Sequence, residues 1–281
     1  MRLVRAKPGL PKPAAKERKP IQVLMKYFDA HNHLQDYQSK TAVSEALRLA
    51  EEAGVGLLLC NGTSPGDWAK VLELAAEHKS VIPCFGLHPW FIKEGPPGWL
   101  GVLEKSLISV PSCVGEIGLD GGKNATTQPR QEGVFISQLK LAKKLGRPAC
   151  LHCVKAWGRM LEIIKEEKPG PFMFHSYGGP AEMVEELASL GAYFSFSGAI
   201  VDPKREKLRR ALLAVPQGRL LFETEAPAAD APGWRAGPAG IAEVVSAAAS
   251  VLGRPAEELA ALSVANGEKF LGGLAVFPEG N

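Results

Sequence analysis

No apolar run in the sequence approaches the ~18 residues that a membrane-spanning helix requires, so the chain of 281 residues is read as a globular protein that makes no use of a membrane. A secretory leader is missing too: residues 1 to 26 are basic and proline-rich, without a continuous apolar core. Cysteine is scarce. Its five copies, at positions 60, 84, 113, 150 and 153, all fall within apolar runs, where a free thiol packs as a small hydrophobe. A reducing, cytoplasmic location is the expectation that follows. Cys150 and Cys153 match a C-x-x-C spacing, but redox pairs of that kind open a helix. This one sits in a strand candidate around His152, so neither redox nor zinc-thiolate chemistry is expected.

Internal repeats and domain boundaries are absent as well. With 46% hydrophobic residues the chain can bury one large core, and α/β barrels commonly run ~250 residues, so one domain is expected over 27–272. A tail of residues 1–26 would precede it and a shorter tail, 273–281, would follow. The first tail carries eight Lys/Arg against one acid, Glu17, and leaves the remainder net acidic. It reads as a solvated extension or a misassigned start, with weak polyanion binding as the lesser alternative.

What the sequence does have is a regular alternation of short apolar runs with amphipathic ones, the pattern of repeated βα units. Strand candidates are 27–34, 55–63, 81–88, 113–120, 148–154, 171–177, 192–198 and 219–226, with helical periodicity in each gap. The clearest helix runs from about Pro129 to Leu145, with Phe135, Leu139 and Ala142 on one face and Gly146 as its stop. A last helix over Ala256 to Leu271 would close the structure. Eight such units predict a single-domain α/β protein with the (β/α)8 TIM barrel fold, in which functional side chains gather at the C-terminal ends of the strands.

Reactive residue types cluster at those ends. His31 and His33 close the first strand candidate, His88 the third, Glu116 and Asp120 the fourth, His152 the fifth, His175 the sixth, and Glu223 with Glu225 the eighth. Of six histidines, only His78 falls in a helix. A lone strand histidine is usually a satisfied core residue, but five at strand ends point to a shared cation. Residues two apart on a strand face the same way, so His31 and His33 can hold one ion. Imidazole and carboxylate donors suit zinc, manganese, iron or nickel, with coordination positions left open for chemistry. Glu116, in an apolar strand between Gly115 and Gly118, is costly to bury without a cation, and its two oxygens can bridge two metals.

In order along the chain, the motifs Asp29-Ala30-His31-Asn32-His33-Leu34, Gly86-Leu87-His88-Pro89 and Gly115-Glu116-Ile117-Gly118-Leu119-Asp120 resemble those of the TatD family of metal-dependent deoxyribonucleases, within the amidohydrolase-like barrels. The resemblance continues through Leu151-His152, His175-Ser176-Tyr177-Gly178-Gly179, Phe196-Ser197-Gly198 and Leu220-Leu221-Phe222-Glu223-Thr224-Glu225-Ala226-Pro227, from about Tyr27 to Phe270. It implies two divalent metal ions, Zn, Mn or Mg. His31, His33 and Glu225 would hold one, His152 and His175 the second, and Glu116 would lie between them.

It also implies a DNA phosphodiester as substrate, in the manner of an exonuclease, with no membrane or obligate protein partner. A metal-activated hydroxide would attack, Glu225 or Glu223 would handle the proton, and His88 and Lys155 would contact the phosphate. Trp90 and Trp157, just after strand ends, would stack on bases or pack against the barrel. Three positions depart from the family pattern. Glu225 stands where aspartate is usual; Val154 then Lys155 stand where an arginine is common; Gly121-Gly122 replaces an aromatic pair. Those departures leave two rivals: hydrolysis of another ester, amide or lactone, such as an aminoacyl-tRNA ester, and a degenerate barrel that binds metal without turnover.

Overall fold

Short apolar runs form parallel strands and the amphipathic intervals form helices, in strict alternation, over residues 27–122, 128–227 and 237–274 of the computed structural model. The expected tail 1–26, and all of the expected 273–281 tail beyond Leu274, lie outside the described residues. The first four strands, β1 (Tyr27–Asn32), β2 (Val55–Asn61), β3 (Val81–Phe85) and β4 (Cys113–Asp120), are followed in turn by four helices. These are α1 (Lys40–Ala53), α2 (Trp68–Glu77), α3 (Trp99–Ser109) and α4 (Gln128–Leu145). Then come β5 (Ala149–Val154), α5 (Trp157–Glu167), β6 (Phe172–Phe174), α6 (Val184–Ser189), β7 (Ala192–Phe196) and α7 (Glu206–Ala214). The chain finishes with β8 (Leu220–Phe222), α8 (Ile241–Leu252) and α9 (Ala256–Leu271).

Strand order follows chain order from β1 to β8, every neighbouring pair parallel, with registers such as Leu58 opposite Val81, Gly118 opposite His152 and Phe196 opposite Phe222. Closure between β8 and β1 is made just above the strand ends. The Glu225 N–H donates to the His31 carbonyl at 3.1 Å, and the His33 N–H donates to the Ala226 carbonyl at 2.7 Å. Buried Asp29 adds a staple across this seam, accepting from the Thr224 N–H at 2.9 Å and the Thr224 hydroxyl at 2.6 Å. The (β/α)8 barrel is thereby nearly closed.

Helices cover the wall through single apolar faces. On α1, Val43, Ala46, Leu47 and Ala50 are buried, the Ser39 hydroxyl caps the first turn by accepting from the Ala42 N–H, and Gly54 ends the helix. On α4, Phe135, Leu139 and Ala142 are buried, each large side chain contributing about 1.5–3 kcal/mol of apolar burial. Inside the barrel, Phe28, Leu59, Cys84, Cys113, Cys150, Met173 and Leu221 fill the lower half, and Phe270 of α9 seals the floor. A Cβ at Gly267 would sit 2.5 Å from the Phe28 ring, so α9 approaches β1 only because that residue is glycine.

Ladders stop earlier than the sequence suggests. His88, His175, Glu223 and Glu225 lie just past β3, β6 and β8 rather than at their last positions. Beyond the ladders, Ser176 (φ 42°) and Glu225 (φ 57°) adopt left-handed backbone, while isolated inter-strand bonds such as Tyr177 N–H to the Ser195 carbonyl continue. His78 is likewise not inside a helix but caps the end of α2.

Candidate metal centre

At the C-terminal mouth of the barrel, the sequence candidates converge on one carboxylate. Glu116 is 3% exposed, inside a cluster that solvent barely reaches. Its Oε1 lies 2.8 Å from His152 Nδ1, 2.8 Å from His175 Nε2 and 3.1 Å from His88 Nε2. Its Oε2 lies 3.4 Å from His31 Nε2 and 3.5 Å from His33 Nε2. Glu225 faces Glu116 across the cluster, with Oε1 2.9 Å from His175 Nδ1 and Oε2 3.8 Å from both His31 and His33. Among the described residues, three groups of donors lie close enough to hold a cation: His31, His33 and Glu116; His31, His175 and Glu225; and His88, Glu116 and His152.

Backbone geometry explains the convergence. β4 carries Glu116 inward and then passes so near β5 that a Cβ at Gly118, where φ is 152°, would lie 1.9 Å from the His152 carbonyl oxygen. Only glycine allows that approach. Two buried glutamines, seven residues apart on the inner face of α4, hold the neighbouring loops. Gln131 accepts from the Asp120 N–H at 2.7 Å and donates to its carbonyl at 2.9 Å; Gln138 does the same for Leu87, at 2.7 and 3.1 Å, next to His88.

Tautomers are set from behind. His33 Nδ1 is 2.8 Å from the Asn61 carbonyl, which can only accept, so Nδ1 carries the proton and Nε2 offers its lone pair to the centre. In the same way His152 Nε2 lies 3.2 Å from Asp120 Oδ2, which also accepts from the Trp90 indole N–H at 2.6 Å, leaving His152 Nδ1 free to ligate. His31 Nδ1, by contrast, is buried without a partner.

Burial opposes charge throughout the cluster, yet charge persists. Burial would raise the Glu116 carboxyl, but His175 and His88 outweigh it and hold the group well below the usual carboxylate range. Glu225 is lowered by His31 and His175 against the same opposition. Burial takes His31 down to about 4 and also lowers His88. On His175 burial is overcome by Glu116 and Glu225, and on His152 by Asp120 and Glu116, so both are raised. The His152 bond brings Asp120 down to about 2. Glu223 is pushed well up by burial and then by Glu225; its Oε1 accepts from the Ser176 N–H at 2.6 Å. Burial also carries Asp29 up to about 7.

The donor set fits divalent cations: five imidazoles around the two oxygens of one ionised, buried carboxylate, a second carboxylate opposite, and no thiol among them. The family described as "TatD related DNase" matches residues 28–272. This chain belongs to that TatD family. It is 30% identical over 210 residues to the uncharacterized metal-dependent hydrolase YjjV of Escherichia coli K12, covering 73% of this chain and 81% of that protein. To the 3'-5' ssDNA/RNA exonuclease TatD of Klebsiella pneumoniae it is 31% identical over 209 residues, covering 71% and 78%. The crystal structure of E. coli YjjV superposes with a TM-score of 0.82 at 27% identity, covering 88% of this chain and 98% of that one. Metal-dependent ester hydrolysis on a TIM barrel comes with TatD membership.

The TatD departures can now be placed. Glu225 occupies the aspartate position on a left-handed residue and reaches both halves of the cluster. Val154 is partly exposed where arginine is common, and Lys155 lies on a neighbouring cavity rather than in the metal pocket. Gly121-Gly122 replaces the aromatic pair, and the Gly122 N–H donates to Asp120. Of the two tryptophans, Trp90 lines the metal pocket and is 51% exposed. Trp157 packs edge-on against Tyr177, with centroids 4.8 Å apart, and beside Phe174. Sequence reasoning missed Asn61, Gln131, Gln138 and the Asp29–Thr224 staple. Asn61, the last residue of β2, was the available signal, a polar residue closing an apolar strand.

Proposed function

We propose that this TatD-family chain hydrolyses phosphodiester bonds of single-stranded nucleic acid, DNA above all, using two divalent cations bound on either side of Glu116. The observation that carries it is the split of the Glu116 carboxylate, Oε2 toward His31 and His33 and Oε1 toward His152, His175 and His88. Cations held by these residues would supply Lewis acidity for hydrolysis. His31, His33 and Glu225 would hold one and His152 and His175 the other, with His88 beside the second pair. Asn61 and Asp120 keep the ligating nitrogens unprotonated. Glu225, held ionised, takes the proton of the attacking water, while Glu223, held protonated, supports the Ser176 loop. Trp90 offers its exposed ring to a base. The five buried free thiols suit a reducing cytoplasm.

Incubation of single-stranded DNA and of bis(p-nitrophenyl) phosphate with Mg²⁺, Mn²⁺ or Zn²⁺ tests this. Metal-dependent cleavage that His31→Ala abolishes is expected; no cleavage with any of the three ions would sink the proposal. One observation favours a second reading. Among the described residues no lysine or arginine lines the metal cavity of about 560 Å³, which would suit an uncharged ester or lactone. Nuclease, esterase and lactonase rates measured on one preparation decide between them. Recovery of a silent enzyme by Glu225→Asp would mark a degenerate site.

A further inference from the structure

Directly beside the metal cavity lies a second one, of about 570 Å³, between the β5–α5 turn, the loop after β6 and α7. Cys153, Val154 and Ser176 line both, so a single row of side chains separates them. Val154 is 37% exposed there, an apolar sill between two polar spaces. Three cations, Lys155, Lys207 and Arg210, line the second cavity against one carboxylate, Glu182. Among the described residues none of the three cations has a carboxylate within ion-pair reach. Some basic residues nearby are paired, Lys144 with Glu104, Arg159 with Glu132 and Arg205 with Asp202. Lys155 owes its place on this cavity to its left-handed backbone, φ 52°, at the end of β5.

Among the described residues, three cations without a carboxylate partner line this cavity, and no lysine or arginine lines the metal pocket beside it. We propose that this cavity takes the neighbouring phosphate of a single-stranded polynucleotide whose scissile phosphate lies over Glu116, with Lys155, Lys207 and Arg210 as its cationic lining. This rests on the nuclease reading above. Strand affinity then comes from beyond the metal pocket, and a substrate with one phosphate cannot use it. The missing arginine at position 154 is thus offset by cations one cavity away.

The test compares pentathymidylate with bis(p-nitrophenyl) phosphate on the metal-loaded enzyme and its Lys207→Ala/Arg210→Ala variant. The KM for pentathymidylate should rise about tenfold with kcat kept within about twofold, and the single-phosphate substrate should change less than about twofold. Charge-preserving Lys207→Arg/Arg210→Lys should restore the oligonucleotide KM. An unchanged KM, or an equal loss on both substrates, overturns the proposal. If the wild-type enzyme cleaves neither substrate, the nuclease reading fails by itself, and the cavity is judged by binding. Anisotropy of fluorescein-labelled pentathymidylate should then weaken in the alanine variant, with the salt slope smaller by roughly 0.7 per cation removed. Equal binding overturns it.

Discussion

The lower and upper halves of the barrel interior are written by the same strands, two residues apart. Cys150 precedes His152 and Met173 precedes His175, each first residue in the apolar floor and each second against Glu116 in the histidine cluster; Leu221 of the floor likewise precedes Glu223, which accepts from the Ser176 N–H beside that cluster. A two-residue step keeps a side chain on the same face, so one turn of phrase in the sequence separates cohesion from chemistry. Below, burial of apolar surface stabilises the fold directly. Above, burial opposes ionisation at Glu116, and the cluster keeps its charge only through mutual contact. The floor stabilises by apolar burial, while at the mouth the same burial works against the charged groups.

Substitutions can break that division of labour. The largest effect is expected for Glu116→Gln, which keeps the volume but removes the shared charge. Its kcat/KM should fall by roughly 10³-fold or more, about 4 kcal/mol, with metal content by elemental analysis reduced and thermal stability of the metal-free protein kept or raised. A metal-replete variant with normal turnover would end the bridging role. Next, Met173→Ala in the floor should cost about 2–5 kcal/mol of folding free energy in urea titration while the folded fraction keeps its turnover. Selective loss of activity without loss of stability would contradict the separation.

Smaller effects probe the support behind the ligands. Asp120→Asn should weaken metal affinity by about 10–100-fold, measured by competition with a chromogenic chelator, because His152 loses the acceptor that orients it. Trp90→Phe keeps a ring but loses the bond to Asp120, and should shift the same affinity by only about 0.5–1.5 kcal/mol. An Asp120→Asn effect no larger than that of Trp90→Phe would show that His152 is oriented by packing instead.

The parts legible in the sequence were those fixed by residue type and period. Eight strands could be counted from apolar runs, and α9 spans Ala256–Leu271, as its periodicity predicts. Histidines and acids announced themselves by chemistry at the strand ends. Gln131, Gln138 and Asn61 did not, because a polar residue that bonds to backbone looks like any solvated one until its partner is known. Lys155 was legible as a cation but not by direction, since a left-handed residue after β5 turns it toward the second cavity.

The seam between β1 and β8 ties together residues at opposite ends of the barrel sequence. Glu225 bonds to the His31 backbone, and Thr224 bonds to Asp29 across 195 positions of chain. The donor cluster is therefore split between the two ends of the barrel sequence: without the segment that follows β8, His31, His33 and Glu116 would lack the carboxylate that faces them, Glu225.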